Sequence, residues 1–96
     1  MLTLTAPLAE YFLYVEYRLP EEAWRVLRTL GDGGRMNKEE LSLMARVKRA
    51  VLDHVVMRLY ALGLVDVTAE GKSKICSLTR LGEEFCSLHR ENGLKC

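Results

Sequence analysis

The chain has 96 residues, 49% hydrophobic and 28% charged, which is the composition of one small globular domain and excludes a disordered polyelectrolyte. No apolar run approaches the ~20 residues of a bilayer span. The N-terminus lacks a basic stretch ahead of an uninterrupted apolar core, so a cytoplasmic protein with neither anchor nor secretory leader is expected.

The net charge of +1 implies little by itself, but its distribution is uneven. Residues 46–80 carry seven basic side chains (Arg46, Lys48, Arg49, Arg58, Lys72, Lys74 and Arg80) against three acidic ones, while the flanking stretches are net acidic. A basic middle between acidic ends is the charge footprint of a polyanion site, and equally of an ordinary solvated surface. There are three cysteines, an odd number with no Cys-x-x-Cys spacing, which does not read as a secreted disulfide framework. The absence of Gln and the presence of only two Asn hint at an archaeal or thermophilic source.

In chain order, Thr5-Ala6-Pro7 reads as a helix start, with a hydroxyl cap and an early proline. Leu8, Tyr11, Phe12 and Val15 follow at helical spacing, giving a first helix over 6–18. Pro20 ends it and opens a second over 20–31, with Ala23, Trp24, Leu27 and Leu30 in one stripe. Gly31, Gly33 and Gly34 break that helix. Asn37-Lys38-Glu39-Glu40 fits a capping box and predicts a short helix over 37–46 that buries Leu41, Met44 and Ala45. A fourth helix is predicted over 48–62, its apolar side formed by Leu52, Val55, Val56, Leu59 and Leu62, with Gly63 as a left-handed cap.

The hydrophobic period then changes from 3.6 to 2. Residues 64–78 read as a hairpin, turning at Ala69-Glu70-Gly71-Lys72. Thr79 caps a last helix over 79–91, with Leu81, Phe85 and Leu88 in line. A lone hairpin is marginal in water and needs a helical layer to pack on. The helices provide one, so 1–96 is read as a single domain of α+β class, mainly helical.

From Glu21 to Glu91 the chain resembles the winged-helix family of prokaryotic and archaeal regulators, of the MarR, ArsR and PadR types. Three stretches carry the likeness: GGRMNKEELSLMA, VKRAVLDHVVMRLYALGLVDV and TAEGKSKICSLTRLGEEF. The resemblance implies a winged helix-turn-helix with extra N-terminal and C-terminal helices. It further implies a transcriptional regulator that binds double-stranded DNA. The helix starting near Lys48 would lie in the major groove and the hairpin wing would rest on the backbone.

With Leu52 facing the core, the outward side of that helix holds Ala50, Asp53, His54 and Met57. Arg49 has the planar fork that pairs with guanine, His54 is a donor, and Ala50 and Met57 suit a thymine methyl. Asp53 repels phosphates, and its expected role is to orient Arg49 or Arg46. Arg46, Lys48, Lys72 and Lys74 are the expected phosphate binders. The bland reading of the two wing lysines is protection of an edge strand against aggregation.

The first helix is too aromatic for a fully solvated one. The resemblance implies that the terminal helices pair in a homodimer, with Tyr11, Phe12, Tyr14, Phe85 and Leu88 as the candidate interface. No phosphate loop, Gly-x-Ser-x-Gly or His-Glu-x-x-His is present, so no enzyme is expected and no cofactor is implied. Cys86 and His89, with Cys96 or Glu83, are a weak zinc candidate, and no metal site is assigned. The other functional class considered is a winged-helix protein-interaction module, which would use the aromatic first helix and the strip of Met57 and Ala61.

Overall fold

The structure is a computed structural model, and it describes residues 6–91. The expected features at Thr5, Gly93 and Cys96, and the side chain of His89, lie outside the described residues. The elements in order are α1 (Ala6–Arg18), α2 (Glu21–Gly33), β1 (Met36–Asn37), α3 (Lys38–Ala45), α4 (Arg49–Ala61), β2 (Val65–Glu70), β3 (Ser73–Leu78) and α5 (Arg80–Glu91). None of the helices is long and apolar enough to cross a membrane.

Local chemistry sets the boundaries. Extended Pro20 leads into α2, with Glu21 and Glu22 at its positive end. The capping box of α3 closes in both directions: Glu40 N donates to Asn37 Oδ1 at 2.8 Å, and Asn37 N donates to Glu40 Oε1 at 3.2 Å. Chain reversal after α4 uses Gly63 at φ 82°. The wing turns at Gly71-Lys72, with Gly71 at φ 63° in the first position of a two-residue loop. Ala69 and Glu70 therefore belong to β2, paired with Lys74 and Ser73, rather than to the turn the sequence suggested.

The sheet has three strands in the order β1-β3-β2, all antiparallel. The sequence reading contained only the hairpin. Met36 and Asn37 pair with Cys76 and Ile75, and two residues are too few to show an alternation. Asn37 thus has two roles, as strand residue and as helix cap. β2 is left as the outer strand on the other side.

The core gathers Val26, Leu27, Leu41, Leu52, Val56, Leu59, Leu64, Val65 and Cys76, all fully buried. Met44 does not join it as expected. On a helix of eight residues the buried positions are Leu41 and Ala45, and Met44 projects outward together with Leu43.

The terminal helices close over this body. Phe12 lies 5.3 Å from Phe85, ring centre to ring centre, and Trp24 stacks on Phe85 at 5.2 Å. Such ring pairs are each worth about 0.5–1.5 kcal/mol beyond their buried area. Tyr11 donates its hydroxyl to the Leu62 carbonyl at 2.8 Å, tying α1 to the end of α4. Phe12 and Phe85 are 5% and 2% exposed, so these two candidate interface rings are packed inside their own chain.

The start of α5 is fixed by three contacts. Thr79 Oγ1 donates to the Gly63 carbonyl at 2.6 Å and accepts from Gly82 N at 3.0 Å, and Thr79 N donates to the Leu64 carbonyl at 3.0 Å. Gly82 lies so near this junction that a Cβ on it would fall 2.1 Å from the Leu64 oxygen. Backbone blocks it, so a side-chain rotation gives no relief. Gly82→Ala is therefore expected to destabilise the fold by about 2–3 kcal/mol or more. Urea denaturation checks this, with Gly71→Ala expected to cost less, since there a Cβ meets no neighbour and only the strain of the positive φ opposes it.

Candidate nucleic-acid interface

The α4 sequence RAVLDHVVMRLYA places Leu52, Val55, Val56 and Leu59 on one buried side. The opposite side presents Ala50, His54 and Met57, all exposed, with Asp53 between them half-exposed. Lys48 caps the helix from an exposed position without a side-chain capping bond.

Arg49, Asp53, Lys72 and Lys74 meet around one polar groove of about 360 Å³, where the first turns of α3 and α4 face the wing. Lys72 reaches it from the turn and Lys74 from β3, so their shared direction does not come from strand alternation alone. Asp53 Oδ1 is shielded from solvent, 3.2 Å from Lys38 Nζ and 3.8 Å from Arg49 Nε. It is held by charge rather than by a well-aligned hydrogen bond. Of its expected partners, Arg49 is there one helical turn away and Arg46 is not.

Lys38 is the member of this groove that the sequence reading missed. Its side chain is only 15% exposed, which is unusual for a lysine and requires a partner such as Asp53. The signal was present, since Lys38 opens α3 inside the capping box, but that motif was read only as a helix start. The wing has a second tie, from Arg35 just before β1 to Glu70 at the end of β2, with both side chains largely exposed. Nearby, burial pushes the Cys76 thiol above its usual value, while Lys38 and Arg49 pull the other way and lose. The thiol stays neutral as part of the core.

Arg46 is placed elsewhere. It caps α3 in the left-handed region at φ 57°, and it lines a different cleft with Arg25 and Arg28 on α2. Arg58 points to a third, apolar cavity of about 310 Å³ between α1, α2 and α4, beside Tyr14 and Arg18. Arg46, Arg58 and the set of Arg49, Lys72 and Lys74 therefore lie on three different surfaces, and Arg80 pairs with Glu84 on α5.

Among the candidate interface residues, Tyr14 is exposed and lies under the Arg18 guanidinium at 3.7 Å. Tyr11 and Leu88 are half-buried against the core.

No family model matches the sequence, and no curated protein matches it. Solved structures do match the fold. NadR, solved in complex with 4-hydroxyphenylacetate, superposes with a TM-score of 0.72 at 24% identity, over 90% of this chain and 65% of NadR. A MarR family regulator from Neisseria meningitidis gives 0.70 at 17% identity, over 88% of this chain and 62% of its own. The transcriptional regulator PA4135 gives 0.71 at 25% identity, over 88% and 65%. This chain thus spans about two thirds or less of these neighbours. It has the α+β winged-helix fold, in the form found in MarR-type regulators.

The Lys38–Asp53 pair joins α3 to α4 across a partly solvated groove, where screening limits its value. Asp53→Ala is expected to lower stability by about 1 kcal/mol or less. Asp53→Asn is expected to cost a similar amount, because an amide supplies no charge to a lysine that is largely covered. Thermal unfolding of both variants measures this.

Proposed function

We propose that the chain binds double-stranded DNA as a transcriptional regulator, with α4 in the major groove and the wing on the backbone. The observation that carries this reading is the convergence of Lys38, Arg49, Lys72 and Lys74 on one groove beside the exposed side of α4. The winged-helix fold, shared with structures described as transcriptional regulators, supports it. The role is one of binding rather than catalysis.

In this reading Arg49 reaches a base edge, His54 donates to a base or a phosphate, and Ala50 and Met57 meet thymine methyls. Lys48, Lys72 and Lys74 hold phosphates, as does Arg46 from the edge of the footprint. Asp53 steers Arg49 and keeps Lys38 seated. With so few base-reading groups, readout is semi-specific and backbone contacts carry most of the affinity.

A gel shift on random duplex tests this. Binding is expected at about 50 mM salt and should fall steeply by about 200 mM. Arg49→Ala should weaken binding about tenfold or more, equivalent to about 1–3 kcal/mol. The double change Lys72→Ala/Lys74→Ala should lower the salt slope by about two units. No binding at low salt would overturn the reading and favour a protein-interaction module.

We further infer that the regulator is a homodimer. The outer side of α1 exposes Leu13, Tyr14 and Tyr17, which a second copy would cover. Tyr11 and Leu88 would flank that contact, while Phe12 and Phe85 support it from beneath. Sedimentation at micromolar concentration is expected to give twice the 10.9 kDa chain mass, and Leu13→Glu/Tyr17→Glu should shift it to monomer. A wild-type chain that sediments as a clean monomer rejects this inference.

A further inference from the structure

Lys38 is the most covered cation of the wing groove, with a side chain 15% exposed against 56% for Arg49, while Lys72 and Lys74 are exposed. Its charge is spent on Asp53. Lys38 Nζ and Arg49 Nε approach the same oxygen, Asp53 Oδ1, at 3.2 Å and 3.8 Å. That oxygen is shielded from solvent and has no well-aligned hydrogen bond, so it depends on these two cations for compensation. Glu39, the other carboxylate lining the groove, forms an ion pair with neither.

The two claims on Oδ1 are unequal. Lys38 is closer and more enclosed, so solvent screens its attraction less. Arg49 is the first residue of α4, where the helix end is itself positive. Its pairing with Asp53 runs from cation to carboxylate along the helix, the weaker of the two i, i+4 orders. At 3.8 Å the contact is longer than a closed charge-assisted hydrogen bond of ~2.7–2.9 Å. The two cations also repel each other across the shared oxygen. While Lys38 occupies Oδ1, Arg49 stays beside the carboxylate without closing on it. Without the Lys38 charge, Arg49 is the one cation left to this oxygen and would close onto it.

We propose that Lys38 is a positioning residue for base recognition. By occupying Asp53 Oδ1 it holds the Arg49–Asp53 pair open and keeps the Arg49 guanidinium available to a duplex. Its effect on binding rests on the DNA-binding role proposed for α4, while the competition for Asp53 belongs to the free protein. Part of the groove helix's specificity is thereby set from α3, by a side chain that is itself largely covered.

A mutant cycle on the full chain tests this, using random duplex at about 50 mM salt. The readout is the factor by which Arg49→Ala weakens binding, about tenfold in the wild-type background. Lys38→Met keeps the apolar stem and removes the charge, and in that background the factor should fall to about twofold or less. Adding Asp53→Asn removes the carboxylate that captures Arg49, leaves the net charge as in the wild type, and should restore the factor to about tenfold. Lys38→Arg keeps the cation and should retain most of it. A lysine that merely held a phosphate or supported the fold would not be rescued by the change at Asp53. Thermal unfolding checks each background, and Lys38→Gln replaces Lys38→Met if that variant melts below the titration temperature.

The Arg49 Nε–Hε cross-peak in the NMR spectrum of the free protein reports the same competition. Lys38→Met should shift it and slow its exchange with water, and Lys38→Met/Asp53→Asn should return it toward the wild-type position. If the wild type binds no duplex, the DNA-binding reading fails and this cross-peak alone decides: a shift that Asp53→Asn reverses supports the competition, and an unmoved cross-peak overturns it. If duplex is bound, the proposal is overturned by an Arg49→Ala factor that Lys38→Met leaves unchanged, or by one that Asp53→Asn does not restore.

Discussion

The placement of the wing hangs on the junction where it leaves α4 and returns to α5. Thr79 grips Gly63 and Leu64 through its hydroxyl and its amide, and Gly82 lies against the same backbone. The two ends of the hairpin, Val65 and Leu78, are partners in register immediately beyond that grip. The wing is therefore a loop closed at its base by hydrogen bonds, and its direction relative to α4 is set there. If the Thr79 cap were lost, the wing lysines would no longer be aimed at the groove that begins at Arg49.

Much of this was readable from residues alone, because each boundary rests on local chemistry. Asn37 and Glu40 announced α3, Gly63 the end of α4, and Thr79 the start of α5. The stripe of Leu52, Val55, Val56 and Leu59 fixed which side of α4 faces inward. Contacts between distant parts of the chain were not readable. β1 is two residues long, and its existence is visible only through its pairing with β3. Lys38 is polar in sequence, and only the fold shows it covered and paired with a carboxylate fifteen positions on. Arg46 is two residues from Lys48, but its left-handed backbone belongs to another surface. The aromatic residues of α1 were treated as one patch. Helical geometry divides them, sending Phe12 inward and Tyr14 and Tyr17 outward.

The two polar clefts are held together by different kinds of contact. Around Asp53 the cations are partly compensated, which restrains Arg49 and Lys38 before anything arrives, and a restrained donor loses less freedom when it engages. Around Arg25 a terminal nitrogen of the guanidinium donates to the Arg46 carbonyl, which ties that side chain to the left-handed turn between α3 and α4. Both are built from the three-helix body, so neither depends on the wing or on α1 for its cations other than Lys72 and Lys74.

The outer strand β2 has one flank that no other strand covers. An open flank of this kind is a template on which a neighbouring chain can add a strand of its own. Here Asp66 and Glu70 are exposed along that strand, and Arg35 reaches across the sheet to Glu70. Like charges would meet when two such flanks approached each other, which opposes sheet extension. Copies of the chain crowded side by side can therefore stay discrete rather than fuse into aggregates through their wings.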